Sequence, residues 1–258
     1  MHLVKFKESE LPMEDLETIG LAEEGRLLIK EDDLKAMLSG RRSSLLRLEN
    51  VKDDKIRIAA MDAKVSLQVN EDGKLELLIH PIYHKPTTPS FLEDDEAELL
   101  EKGEVANLQK VINDGKGGKK ELLVEYDPET REFIVSDTDL VIAPDMVNNE
   151  RLTAAQKERY RKGKEVEIED HTRFSYSAVD KHGMRANKLA LIASILMDAG
   201  MSYVLYKGLN ALFNSKRDQQ DSAKLSPGYH QALEYFQADN PVRDNRHIQV
   251  DAKRRNFR

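Results

Sequence analysis

Apolar residues fall at helical spacing in several short runs and at alternate positions in others. The chain therefore reads as small helices followed by small antiparallel sheets. Met13, Leu16 and Ile19 recur helically in MEDLETIGL, with Pro12 in the first turn and Gly20 as the stop. Leu34, Met37 and Leu38 mark a second helix in EDDLKAMLSG, with acids in its first turn and Gly40 after its end. LLRLENV, KIRIAAM and AKVSLQV alternate, and Asn70-Glu71-Asp72-Gly73 turns the chain into KLELLIHPI, the clearest hairpin. Pro81, Pro86 and Pro89 then end the sheet and make a linker.

A unit then occurs twice. LEDDEAELLEKGEV begins at Leu92 and LTAAQKERYRKGKEV at Leu152, so that Leu100 aligns with Tyr160, Lys102 with Lys162 and Gly103 with Gly163. Each copy predicts a glycine-stopped helix and a β-rich stretch, and Thr153 is the expected N-cap of the second helix. ELLVEY and EFIVSD flank the turn Asp127-Pro128-Glu129-Thr130, and another turn is expected near Asp180–Gly183. Past residue 187, Leu189, Ile192, Ile195 and Leu196 form one helical stripe and Leu205, Leu209, Leu212 and Phe213 a second. This stripe is a candidate docking or oligomer face, and burial within its own domain is the competing reading. From residue 214 the chain turns polar, with one short amphipathic helix expected in SPGYHQALEYFQADNP and a basic end.

The expected fold is α+β. It comprises an N-terminal module over 1–90, a helix–hairpin unit over 91–150, a second unit with the apolar helical segment over 151–213, and a flexible polar and basic tail over 214–258.

Composition narrows the chemistry. The 258 residues are 40% hydrophobic and 34% charged, enough for about two ordinary domains with much solvated surface. With no cysteine, disulfides, zinc–thiolate sites and cysteine nucleophiles are excluded. The N-terminus lacks the apolar run of a signal peptide, and Asp198, Lys207 and Asn210 interrupt the most apolar stretch, so a cytoplasmic protein is expected. Residues 1–150 hold 20 Lys and Arg against 34 Asp and Glu, whereas residues 151–258 hold 20 against 13. That asymmetry points to different partners for the two halves, or to halves that attract each other.

No catalytic arrangement and no cofactor fingerprint emerges. His80 and His84 have the spacing of a helical metal pair, but Pro81 places them at a strand end. Gly115–Lys120 lacks Walker spacing and reads as a surface loop. Arg41 and Arg42 either grip phosphate or cap the preceding helix. Lys157, Arg159, Arg161, Lys162 and Lys164 surround Tyr160, a surface that suits nucleic acid, with Lys253, Arg254, Arg255 and Arg258 as a second basic set. Tyr160 aligns with Leu100 and is also a core candidate, and the first copy of the helix is acidic where the second is basic.

LETIGL, LSGRRSSLL and MDAKVSLQVNEDGKLELLIHPI together resemble an uncharacterised Bacteroidetes family carried on conjugative transposons and related mobile elements. The resemblance covers roughly residues 9–180. It implies modules that stand alone or are appended to type IA topoisomerases, and it brings no catalytic residues. The chain departs from that pattern where the apolar segment 187–213 replaces an expected strand, and again in its basic tail. The reading is a non-enzymatic adaptor with a protein partner. The alternatives are a DNA-binding accessory of conjugation or replication, and a component that docks onto a larger assembly through 187–258.

Overall fold

The computed structural model describes residues 5–52, 57–113, 115, 117–188, 190–197, 200–207 and 226–239. The first module opens with a 3₁₀ turn at Glu8–Glu10, helix α1 (Met13–Thr18), a two-stranded ribbon of β1 (Ala22–Glu23) and β2 (Arg26–Leu27), and helix α2 (Glu31–Leu38). A meander follows, of β3 (Leu46–Lys52), β4 (Arg57–Val69) and β5 (Leu75–Pro81), antiparallel and in chain order. Residues 57–61 and AKVSLQV thus belong to one long strand. The β4–β5 turn closes because Asn70 Oδ1 accepts from the backbone N–H of Asp72 and Lys74. Leu16, Met37, Leu48 and Val65 are fully buried between the helices and the sheet.

The second module repeats the plan. Helix α3 (Asp94–Glu101) precedes β6 (Leu108–Asn113), β7 (Lys119–Asp127) and β8 (Glu132–Asp137), again antiparallel in chain order. Glu96 reaches back to the Glu93 N–H at 2.9 Å, which fixes the helix start. Leu92, Leu100, Val124 and Phe133 form a small core. Of the glycine-rich segment, Gly115, Gly117 and Gly118 lie between β6 and β7, and Lys119 and Lys120 open β7.

The third module begins with the tight hairpin β9 (Met146–Val147) and β10 (Glu150–Arg151). Asn148 and Asn149 both have positive φ, as a two-residue hairpin turn requires. Helix α4 (Ala154–Arg161) starts at Thr153, whose Oγ1 accepts from Gln156 N–H while Gln156 Oε1 accepts from Thr153 N–H. Strands β11 (Val166–Glu167), β12 (Arg173–Tyr176) and β13 (Met184–Ala186) form the third meander. The expected turn before Gly183 is present, with Gly183 N–H donating to Asp180 O at 2.8 Å. A strand therefore does follow Asp180, contrary to the expectation that an apolar helical segment takes its place.

That apolar segment is strand and not helix. Residues 190–197 and 200–207 form β14 (Ala190–Met197) and β15 (Gly200–Lys207), an antiparallel pair in a sheet of order β10-β9-β14-β15. The cause is burial on both faces. Leu191 and Ala193 join the core around Phe174 and Val147, while Ile192 packs with Tyr229 and Ala232 of helix α5 (Pro227–Asp239). A strand buried on both sides reads as an unbroken apolar run, and periodicity does not separate it from a helix. Helix α5 realises the short helix expected within the polar tail. No helix among the described residues is long and apolar enough to cross a membrane.

The glycine-stopped helix end is not confined to the two aligned copies: among the described residues Gly20, Gly40, Gly103 and Gly163 share it. Gly40, Gly103 and Gly163 all have positive φ and donate to the carbonyls of Met37, Leu100 and Tyr160. The following N–H groups, of Arg41, Glu104 and Lys164, each reach back to Ala36, Leu99 and Arg159. Surroundings separate the copies. A Cβ on Gly103 meets open space, whereas one on Gly163 would lie 2.8 Å from Leu123 Cδ1 of the second module. Gly103→Ala should cost about 1 kcal/mol, the ordinary penalty of a left-handed alanine. Gly163→Ala should cost about 1–3 kcal/mol more from overpacking. Urea unfolding of the two full-length variants measures the difference.

Candidate functional site

Polar side chains on the sheets join the modules. Lys64 on β4 donates to Asp127 Oδ2 at 2.7 Å and lies 2.8 Å from Glu129 Oε2, at the β7–β8 turn. The Lys64 and Asp127 side chains are 3% and 0% exposed, so removing either one leaves a charge in the interior without its buried partner. Next to them, Arg42 Nη1 donates to Glu132 Oε2 at 2.6 Å, and Tyr83 N–H donates to Thr130 O at 2.9 Å. Burial alone would push the Glu132 carboxyl up. Hydrogen bonds and charge from His80 and Arg42 outweigh it and hold the group at about 2.

The third module is held in the same way. Glu125 on β7 accepts from Ser177 Oγ and Ala178 N–H and lies 3.1 Å from Arg185 Nη2. Burial pushes the Glu125 carboxyl up against these three partners. Asp33 on α2 accepts from Ser44 N–H and Oγ, and Lys181 Nζ donates to Ser44 Oγ at 3.0 Å. Burial would raise the Asp33 carboxyl, but Ser44 and Lys181 hold it down. Arg41 Nε donates to Lys181 O at 2.8 Å. Arg41 and Arg42 thus serve the module joints. A cavity of about 510 Å³ opens at this junction, and its three cations (Lys64, Lys181, Arg185) face three carboxylates (Asp127, Glu129, Asp180).

One arrangement was invisible in the sequence. Ser66 Oγ lies 2.9 Å from His80 Nε2, and His80 Nδ1 lies 3.4 Å from Glu132 Oε2. The order serine–histidine–carboxylate is that of a hydrolase triad. A working triad also needs an open approach to the nucleophile and convergent oxyanion donors. Ser66 and His80 are buried, and neither cavity described here is lined by them. The cluster ties β4 and β5 to Glu132 of the second module. No spacing signal marks it, because Ser66 and His80 sit on neighbouring strands and Glu132 comes from another module.

A second cavity has a different character. A cleft of about 400 Å³ lies between the α2 C-terminus and the third module. Tyr160, Tyr176, Met184, Ala193 and Ile195 line its apolar wall, with Val141 and Pro144 beside them. Leu140 and Ile142 stand at its margin, 77% and 58% exposed. Lys5 and Arg41 supply its charged groups, His182 lines it with Nδ1 3.3 Å from Asp180 Oδ1, and no Asp or Glu is among its described lining residues. An apolar concavity with a few convergent polar groups is the common form of a binding site.

The basic residues of α4 are placed otherwise. Lys157 pairs with Asp145, Lys162 with Glu121 and Glu158, and Arg161 with Glu158, while Arg159 donates to Glu165 O. Lys164 is exposed and Tyr160 is core. Lys253, Arg254, Arg255 and Arg258 lie outside the described residues, as do Leu189, Leu209, Leu212 and Phe213. Ile192 is buried under α5, Ile195 lines the cleft, and Leu196 and Leu205 lie on β14 and β15. His80 is committed to the cluster above, and His84 follows β5 as an exposed residue.

Two measurements probe the junction. Lys64→Met strands Asp127 in the interior and should cost about 3–5 kcal/mol, while Lys64→Met with Asp127→Asn recovers most of that loss in urea unfolding. Glu132 has a folded pKa below its unfolded one, so its contribution is full above pH 4.5 and is lost as pH falls toward about 2. Glu132→Gln should therefore lower the urea midpoint clearly at pH 7 and much less at pH 3.

A family model described as "Protein of unknown function (DUF4099)" matches residues 6–90, which is the first module and under half of the chain. No curated protein and no solved structure matches.

Proposed function

We propose that the protein is a non-enzymatic binding or adaptor protein that engages a protein partner through the cleft between its first and third modules. The observation that carries this reading is the apolar cleft, with no Asp or Glu among its described lining residues and with Leu140 and Ile142 exposed at its margin. Large exposed apolar side chains gathered at one concavity are costly unless something covers them. The titratable groups of the junction support the same reading, since they hold one module to the next. The mobile-element or phage-like setting is part of the proposal. Its support is the resemblance carried by LETIGL, LSGRRSSLL and the β4–β5 hairpin, all within residues 6–90.

The DNA-binding alternative loses support at α4, where carboxylates and a carbonyl hold four of the five basic side chains. Docking through the C-terminal region finds one face of β14 covered by α5, while Ile195 belongs to the cleft.

The dye 1-anilinonaphthalene-8-sulfonate, with an apolar body and one anionic group, is a direct probe of the cleft. Saturable fluorescence enhancement by the full chain is expected. Leu140→Asp with Ile142→Asp should abolish it without shifting the urea midpoint by more than about 0.5 kcal/mol. A parallel anisotropy titration with labelled DNA decides the alternative. DNA binding that weakens steeply with salt, with no dye site, would replace the adaptor reading.

A further inference from the structure

The cleft's charge is at odds with the chain around it. The protein carries 47 Asp and Glu against 40 Lys and Arg, yet the described residues lining the cleft include Lys5, Arg41 and His182 and no Asp or Glu, with Asp180 outside the lining and 3.3 Å from His182. These groups come from three places in the fold: the chain before the first 3₁₀ turn, the residue after Gly40, and the turn before β13. Arg41 is preorganised, because its Nε is bonded to Lys181 O and its side chain lies across Gly183. A Cβ on Gly183 would come within 3.1 Å of Arg41 Cδ. Holding a guanidinium in place before a ligand arrives lowers the ordering cost of binding an anion.

We infer that the cleft takes a linear segment of a partner protein in which one or two large apolar side chains stand beside a carboxylate. This inference rests on the cleft being the binding site. The apolar side chains fill the wall formed by Tyr176, Met184 and Ile195, and the carboxylate meets Arg41 and Lys5. Size favours a peptide over a small amphiphile, because Leu140 and Ile142 extend the apolar surface past the cavity itself. The chain's own basic end carries Lys253, Arg254, Arg255 and Arg258, which repel a cationic cleft.

The test uses the full chain and fluorescein-labelled peptides built on Ser-Gly-Leu-Leu-X-Ser, with X as Glu, Gln or Lys. The Glu peptide should bind about five- to tenfold tighter than the Lys peptide, with Gln between them and the spread narrowing as salt rises. Lys5→Glu, at an exposed position, should reduce or invert the preference for Glu without loss of stability. Equal binding of the Glu and Gln peptides overturns the carboxylate requirement and leaves the cleft reading standing. Displacement of the anilinonaphthalene dye by decanoate but by none of the peptides overturns the peptide in favour of a small amphiphilic acid. Absence of both dye and peptide binding removes the cleft reading along with the inference.

Discussion

The arrangement of the modules depends on one buried ion pair. Lys64 sits mid-strand on the polar face of the first sheet, where an unpaired ammonium group would be strongly disfavoured. Its partners among the described residues, Asp127 and Glu129, both come from the β7–β8 turn of the second module. The pair therefore acts as a locating pin, bringing Arg42 onto Glu132 and Tyr83 onto Thr130. The same turn end of β7 carries Glu125, which binds Ser177, Ala178 and Arg185 of the third module. The second module thus bridges the other two, which also touch directly through Arg41, Ser44 and Lys181, and the cleft lies where those two meet.

The repeated cap explains why three short helices are stable at all. An eight-residue helix is marginal alone, and its last carbonyls need partners. The left-handed glycine supplies two reversed bonds at each helix end and aims one large residue (Met37, Leu100 or Tyr160) into the local core. Copies then diverge by what lies beyond the glycine. Gly163 is pressed against Leu123, and the carbonyls of Lys162 and Gly163 accept from Gln109 and Asn107 of the second module. In that copy the cap is also an interface.

Local rules made much of the fold legible. Glycine stops, the Asn70–Gly73 turn and the Thr153 cap each act within a few residues, and each appears where the sequence places it. The kinship of all these helix ends is hidden in the sequence because α1 and α2 share their cap geometry with α3 and α4 but little of their sequence beyond the glycine. The strands β14 and β15 carry a helix-like apolar pattern because β14, covered by a core on one side and by α5 on the other, has no polar face. Of the cleft, Ile195, Tyr160 and Arg41 stand out in the sequence, each for another reason. Lys5, Arg41, Leu140 and His182 are far apart in the chain, and only packing of the modules brings them together. Charge asymmetry between the halves was visible, and part of it is consumed internally: Lys162 and Arg185 of the third module meet Glu121 and Glu125 of the second.

Synthesis proceeds from the N-terminus, and domains tend to fold as they emerge. When only the first ninety residues have left the ribosome, Lys64 lies on a sheet whose carboxylate partners are not yet made. The β4–β5 face can bury that ammonium only after residues 127–129 arrive, nearly forty residues beyond the end of the first module. The polar face of the first sheet is thus a vacant berth during translation, closed by the chain's own next segment.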